Sequence, residues 1–185
     1  MELLIPTCRL RPFHSADAPS LARHANDREL WLGVSDRIPH PYAVADAEAF
    51  LARVAGQEPV TAFAIEVDGE VVGSIGLVPG TDVERVSAEI GYWLGRSLWG
   101  RGIVPDAVRA VTGYAFAELG VQRVFGKLFA RNARSQRVLE KAGYVREGVL
   151  RRSAIKDGVL LDQLLYAAYR DGWGDAGARG RAIPP

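Results

Sequence analysis

Residues 86–130 constrain the fold of this chain most, because they predict a strand, a glycine-bearing turn, a helix and a second strand in succession. The turn covers residues 100–102, and the helix that follows runs to about residue 119. Its apolar stripe has helical spacing and consists of Val104, Val108, Val111, Ala115 and Leu119. A strand that returns to the same sheet through a crossover helix pairs in parallel. The segment therefore predicts a parallel strand pair.

Two hairpins predict that the rest of the sheet is antiparallel. Asp68-Gly69 separates β-branched runs at 60–67 and 71–78, and Asp157-Gly158 separates the last two strands. Asp-Gly between two such runs is a strong hairpin signal. The remaining predicted elements are a strand at 7–12, helices at 15–26, 46–56 and 132–142, and strands at 124–130, 144–155 and 160–169. We therefore predict an α/β fold with a mixed, mostly antiparallel central sheet flanked by helices.

The length and composition suit one domain, which we place at residues 1–173, followed by a flexible tail at 174–185. The chain has 185 residues, of which 48% are hydrophobic and 24% are charged. We expect no membrane span, because no stretch approaches ~18 consecutive apolar residues, and we expect no signal peptide. The single cysteine, Cys8, excludes an intrachain disulfide and is expected to be buried as a small apolar group. A cytoplasmic protein is the natural interpretation.

The three histidines do not predict a metal site. His14, His24 and His40 lie in polar or loop sequence without the spacing of metal ligands, so we expect them at the surface. No metal is predicted.

The turn at residues 100–102 has the chemistry of an anion-binding site. Free amides and the helix dipole favour an anion at a helix N-terminus, and Gly100 and Gly102 leave the backbone accessible. Arg101 adds positive charge, but the triphosphate-binding motif needs lysine there and a hydroxyl at Gly102. Pro105 stands where the dinucleotide motif has its third glycine. A plain strand-to-helix turn that needs glycine remains the alternative.

A second cluster opens the next predicted helix, and the two together resemble the GNAT acetyltransferase superfamily. The match is closest to its ribosomal-protein N-terminal acetyltransferase (Rim-type) branch. Its pieces are Ile-Gly-Tyr-Trp-Leu at 90–94, Trp-Gly-Arg-Gly-Ile at 99–103, Asn-Ala-Arg-Ser at 132–135 and Val-Leu-Glu-Lys-Ala-Gly-Tyr at 138–144. Weaker agreement at 38–42 and 157–158 extends the resemblance over most of residues 7–173.

The resemblance implies that the chain binds acetyl-CoA as a cosubstrate. The amides that would hold the pyrophosphate are those of Leu98, Trp99, Gly100, Arg101, Gly102 and Ile103. The strand edge at Trp93 and Leu94 would hydrogen-bond the pantetheine arm, and Asn132 would contact the same arm. Ser135 would lie near the thioester sulfur. Because Leu139 stands where many relatives have a tyrosine, Ser135 is the remaining side chain that could protonate the thiolate. For Ser135, a hydroxyl that bonds the helix backbone is the alternative.

Glu89 is the candidate general base. A free α-amino group has a pKa of roughly 8 and lysine one of about 10.4, so an α-amine acceptor asks less of a base. Relatives often carry a carboxylate at this position that acts directly or through water. A solvated carboxylate paired with an arginine is the alternative for Glu89.

The resulting hypothesis is an N-acetyltransferase that moves an acetyl group directly to a primary amine, either a peptide N-terminus or a small molecule. A non-catalytic acyl-CoA-binding or regulatory module on the same fold is the alternative. We expect no nucleic-acid or membrane partner, and a homodimer is plausible for the family. Residues 96–152 hold 12 Lys or Arg and 4 Asp or Glu, whereas residues 1–95 hold 7 and 14. This division suits an anionic cofactor and a cationic amine.

Overall fold

A computed structural model describes residues 2–174, and its strands form one eight-stranded sheet. The strands are β1 (Leu3–Ile5), β2 (Cys8–Arg11), β3 (Ala62–Val67), β4 (Glu70–Pro79), β5 (Ser87–Leu94), β6 (Arg123–Phe129), β7 (Val145–Lys156) and β8 (Val159–Tyr169). The helices are α1 (Ala18–Ala25), α2 (Arg28–Trp31), α3 (Val44–Val54), α4 (Ile103–Glu118) and α5 (Ala133–Lys141). The strand order is β1-β2-β3-β4-β5-β6-β8-β7. The tail predicted at 174–185 lies outside the described residues from residue 175 onward.

The predicted parallel pair is confirmed and consists of β5 and β6, whereas the other neighbouring strands of the described sheet pair antiparallel. The parallel register begins at Ser87 opposite Arg123 and ends at Glu89 opposite Phe125. Beyond Glu89, β5 continues to Leu94 while pairing only with β4. The two strands therefore separate and leave a gap in the middle of the sheet.

Helices cover both faces of the sheet. The α4 side chains Val108, Val111 and Ala115 are fully buried in one core cluster, as the apolar stripe predicts. On the opposite face, α1 and α3 pack over Ala64 and Val71 in a second cluster. The mixed, mostly antiparallel sheet with flanking helices is therefore confirmed.

Two short elements escape sequence analysis. β1 has three residues and α2 has four, which is too short for a hydrophobic period to appear. α2 is held locally, because the Asp27 side chain accepts a hydrogen bond of 3.0 Å from the amide of Leu30. No helix among residues 2–174 combines the length and the apolar character that a membrane crossing needs.

Candidate active site

A cavity of about 1120 Å³ extends along the sheet at the gap between β5 and β6. Its wall on one side is the loop at residues 33–39 together with α3, and its far end includes Ser135 and Leu139 of α5. Glu89 and Trp93 both line it. One continuous space thus contacts side chains on both sides of the gap.

Two glycines form the floor of this cavity. Gly91 pairs directly with Gly76, in the same register that pairs Trp93 with Ser74. Alternate residues of β5 share a face, so Gly91 lies between Glu89 and Trp93 on the cavity side. A Cβ added at Gly91 would meet no atom within 4 Å. The open space beside Glu89 therefore exists because a side chain is absent.

Glu89 is a partly exposed carboxylate on the cavity wall. Its Oε2 lies 3.3 Å from Nζ of Lys127 on β6, and both side chains are 37% exposed. Its partner is therefore a lysine from the neighbouring parallel strand, where the sequence suggested an arginine. The pair leaves the carboxylate accessible from the cavity.

The direction of the peptide groups decides what the gap edge offers. The amide of Gly95 donates to the Val72 carbonyl at 2.8 Å, which anchors the alternation of the β4–β5 ladder. By that alternation, the backbone of Trp93 faces β4, and the backbone of Tyr92 and Leu94 faces the gap. The prediction that this strand edge hydrogen-bonds the pantetheine arm is therefore consistent with the backbone of Leu94. It is wrong for the backbone of Trp93, which can contact the arm only through its side chain.

One of the two backbone polar groups of Leu94 has a hydrogen-bond partner. Its carbonyl accepts a hydrogen bond of 2.7 Å from the indole Nε1 of Trp99. The amide of Leu94 remains on the gap side, and this bond places the Trp99 ring against the end of the strand.

The predicted glycine turn is present, and fewer of its amides are free than expected. Leu98 donates to the Gly95 carbonyl at 3.0 Å and Trp99 donates to the Arg96 carbonyl at 3.2 Å, because residues 96–98 form a 3-10 turn. These two amides are therefore unavailable, which corrects the prediction for Leu98 and Trp99.

The following residues keep their amides exposed. Gly100 and Gly102 have φ of +82° and +81°, values that favour glycine, and a Cβ at either would meet no atom within 4 Å. The amides of Gly100, Arg101 and Gly102 donate to no backbone carbonyl within residues 2–174. Ile103 follows as the first residue of α4, whose opening amides have no intrahelical acceptor. These four residues make up the predicted anion-binding turn.

Asn132 and Ser135 begin α5 at the far end of the cavity. The Asn132 side chain accepts from the Ser135 amide at 3.1 Å, and its Nδ2 donates to the Gly33 carbonyl at 3.5 Å. Asn132 therefore caps the helix and links it to the loop at 33–39. The hydroxyl of Ser135 makes no hydrogen bond within residues 2–174, so the alternative of a backbone-bonded hydroxyl does not apply. The Ser135 carbonyl accepts from the Tyr92 hydroxyl at 3.4 Å.

Basic side chains surround the anion-binding turn, but most have partners. The Arg134 guanidinium lies 4.6 Å from the Trp99 ring centroid and 3.8 Å from Glu29. Arg96 lies 3.2 Å from the same Glu29 carboxylate. Arg101 forms no ion pair among the residues that the structure describes, so it offers the least compensated charge at this turn.

The histidine prediction is confirmed only for His14, which is exposed. His24 is partly buried and contacts Glu70. His40 stacks on Trp31 with ring centroids 5.7 Å apart, and its Nδ1 is buried without a hydrogen-bond partner in the described part of the chain. Within that part, no cluster of three or more His, Cys, Asp or Glu could hold a metal ion.

Cys8 is half-buried, and burial raises the pKa of its thiol to about 11. It packs against the main core cluster, which fits its predicted role as a small apolar group.

Sequence reasoning missed Gly91 and Lys127 as site residues. An isolated glycine within a strand pattern signals close approach of another group, and that signal was available for Gly91. Lys127 carried no local signal, because its contact with Glu89 depends on the register of the parallel pair.

Comparison with known proteins identifies the family. The family model described as "Acetyltransferase (GNAT) domain" matches residues 8–145. "Probable N-acetyltransferase YjcK" of Bacillus subtilis (strain 168) is 38% identical over 54% of this chain and 55% of its own length. "Ribosomal-protein-serine acetyltransferase" of Escherichia coli (strain K12) is 33% identical over 52% of this chain and 55% of its own. The aligned part thus spans little more than half the length of these curated relatives.

A solved structure extends the similarity over most of the chain. Mycobacterium smegmatis RimJ in complex with CoA-disulfide is 28% identical, with a TM-score of 0.77, and the match covers 92% of this chain and 87% of that one. The family match over residues 8–145 and the shared fold confirm the resemblance seen in the sequence. The chain belongs to the GNAT acetyltransferase family.

Proposed function

We propose that this protein is an N-acetyltransferase that uses acetyl-CoA to acetylate a primary amine by direct transfer. The observation that carries the proposal is the single cavity that contains Glu89 on one side of the β5–β6 gap and Ser135 beyond it. The anion-binding turn lies just after β5, at the N-terminus of α4. A phosphate-bearing thioester could therefore be held at the turn while its acyl group lies in the same space as the amine.

The residues of this chain fit the chemistry of CoA. The amides of Gly100, Arg101, Gly102 and Ile103 suit its pyrophosphate, because exposed amides at a helix N-terminus favour anions. The gap side of Leu94 offers an amide to the pantetheine arm. RimJ, which shares this fold, was solved with CoA-disulfide bound. Acetyl-CoA supplies an activated acyl carbon at the gap.

The proposed reaction needs one proton acceptor and one proton donor. The acceptor nitrogen forms an amide bond to the acetyl carbon while the carbon–sulfur bond breaks. Glu89 takes the proton that leaves nitrogen, directly or through water. Ser135 transfers its hydroxyl proton to the departing sulfur, which leaves as a thiol, and the proton taken up by Glu89 returns through solvent to the serine oxygen. Its hydroxyl is free for this role because no described residue engages it.

The acceptor is a peptide N-terminal α-amine or a small amine, in a cytoplasmic setting. The name of the Escherichia coli relative, a ribosomal-protein-serine acetyltransferase, supports an amine acceptor on a protein. Homodimer formation and the absence of nucleic-acid and membrane partners stay predictions.

A panel assay tests the proposal. The purified full chain is incubated with acetyl-CoA and a panel of N-terminal peptides and small amines, with thiol release and product mass as readouts. We expect acetylated product and stoichiometric thiol for at least one acceptor. CoA binding by calorimetry without product across the panel would support the non-catalytic acyl-CoA-binding alternative.

A further inference from the structure

On the acceptor side of the cavity, the carboxylates have partners whereas two arginines have no ion-pair partner among the described residues. The charged residues that line the cavity are Asp36, Asp46, Glu89, Arg37, Arg53 and Lys127. Asp36 lies 2.7 Å from Lys156, and Glu89 pairs with Lys127 at 3.3 Å. These two carboxylates are therefore neutralised by neighbouring ammonium groups.

The Asp46 carboxylate also has a hydrogen-bond partner, whereas Arg37 and Arg53 have no ion-pair partner in the part of the chain that the structure describes. The Asp46 carboxylate accepts a hydrogen bond of 2.8 Å from the Ala43 amide and so caps α3. Neither Arg37 nor Arg53 forms an ion pair with any residue in the range 2–174. Arg53 is held against the cavity wall, because its guanidinium lies 5.5 Å from the centroid of Phe50.

The hydroxyl of a tyrosine on the cavity wall lies within reach of the Arg53 charge. Tyr42 is only 8% exposed and lines the cavity, yet its hydroxyl makes no hydrogen bond within the described chain. That hydroxyl is not sealed off from solvent, since the only buried side-chain polar atom without a partner in residues 2–174 belongs to His40. Burial raises the pKa of Tyr42, so the hydroxyl keeps its proton and remains a donor.

We propose that Arg53 and Tyr42 form an anion subsite, and that the amine acceptor carries a carboxylate which this subsite binds. The inference rests on the proposed acetyltransferase function and names the class of its acceptor. One guanidinium and one hydroxyl supply donors for a single carboxylate, which arginine binds in a two-pronged geometry. Asp46 also lines the cavity and its charge acts on Tyr42, so a singly charged carboxylate suits the subsite better than a dianion such as a phosphate monoester.

Two sources of that carboxylate are possible, and matched substrates separate them. One pair is alanine and alaninamide, which differ in the α-carboxylate. The other is two pentapeptides that differ only by aspartate or asparagine at the second position. We expect wild-type kcat/KM to favour the acidic member of one pair by about fivefold or more, as for an exposed ion pair strengthened by a second hydrogen-bond donor.

Two variants test whether the preference for the acidic substrate comes from Arg53 and Tyr42. In Arg53→Gln the preference should fall to within about twofold of equality, while Tyr42→Phe should reduce it and keep the ring packed. Arg151→Gln is the matched control, because Arg151 is exposed on β7 and does not line the cavity. Equal rates for both members in the wild type, or a preference that survives Arg53→Gln, would overturn the subsite.

Binding of products keeps this test separate from the test of function. Calorimetry with N-acetylalanine, N-acetylalaninamide and the two acetylated pentapeptides needs no turnover. Tighter binding of an acidic member that disappears in Arg53→Gln supports the subsite even if no acceptor reacts, in which case only the proposed activity fails. Equal binding of all members contradicts the subsite, whatever the activity.

Discussion

The ammonium of Lys156 lies 3.8 Å from the ring centroid of Trp31, and only 1% of the lysine side chain is exposed. The same ammonium lies 2.7 Å from Asp36, whose side chain is 72% exposed. Lys156 ends β7, and Asp36 lies in the loop at 33–39 that lines the cavity. The last hairpin therefore holds the loop beside the proposed acceptor site.

We expect Lys156→Gln to release this loop and to destabilise the protein by about 1–2 kcal/mol, since it removes a cation–π contact and buried packing. Trypsin cleavage after Arg37 should accelerate, measured by mass spectrometry of timed digests. Arg28→Gln is the control, because it breaks the neighbouring but exposed pair with Asp157 at 2.8 Å. Equal cleavage rates in the wild type and Lys156→Gln would show that the contact does not hold the loop.

Asp17 should make the stability depend on acidic pH. Burial alone would raise the pKa of Asp17, but hydrogen bonds from Arg11 and the His14 amide outweigh it, and the pKa is lowered from 3.8. The stabilisation is therefore present above the unfolded-state pKa and disappears as pH falls through the lower, folded-state value. We expect Asp17→Asn to cost about 2 kcal/mol at pH 7 and to flatten the pH dependence of urea unfolding below about pH 4.

The control for Asp17 is Glu2→Gln, which removes an exposed partner of Arg9. It should change the free energy of unfolding by less than about 1 kcal/mol. An Asp17→Asn variant whose stability falls with acid as steeply as the wild type would contradict the assignment.

Gly91→Val should fill the floor of the cavity. The new side chain has open space around it, so we expect a stability change of no more than about 1 kcal/mol but a loss of kcat/KM for the acceptor of about 100-fold. Gly148→Val on β7 is the matched control, because a Cβ there also meets no atom within 4 Å. Unchanged turnover in Gly91→Val would mean that the acceptor does not occupy this space.

Gly100→Ala tests the anion-binding turn. Its φ of +82° makes alanine unfavourable by about 1 kcal/mol, and the methyl group would occupy open space beside the exposed amides. We expect the Kd for CoA to rise about tenfold in calorimetry. Gly158→Ala has a comparable φ of +73° in the last hairpin and should leave the Kd unchanged. Equal affinities for CoA in the two variants would place the phosphates elsewhere.

Much of the fold follows from local patterns, because the Asp-Gly turns and the crossover helix each determine how neighbouring strands pair. The anion-binding turn is predictable for the same reason, since glycines and a helix start are adjacent in sequence. The direction of the Trp93 peptide and the hydrogen bond that occupies the Leu98 amide cannot be predicted in this way. The first depends on the β4–β5 register, and the second depends on a 3-10 turn that carries no hydrophobic period.

Contacts between distant segments also escape the sequence. Glu89 meets Lys127 because the parallel register ends at Glu89, and Lys156 reaches Trp31 because the last hairpin folds back on the loop. Neither pair has a spacing that a sequence pattern could reveal. The acidic balance of residues 1–95 likewise predicts a negative acceptor side, whereas the structure pairs Asp36 and Glu89 with lysines.

The most direct measurement is the steady-state turnover of Glu89→Gln beside that of Lys127→Met, with CoA affinity measured on the same preparations. Loss of the base should lower kcat by about 100-fold or more, with the Kd for CoA unchanged. Lys127→Met keeps the carboxylate and should retain most of the turnover. Turnover of Glu89→Gln within about threefold of the wild type would contradict the role of Glu89 as the proton acceptor.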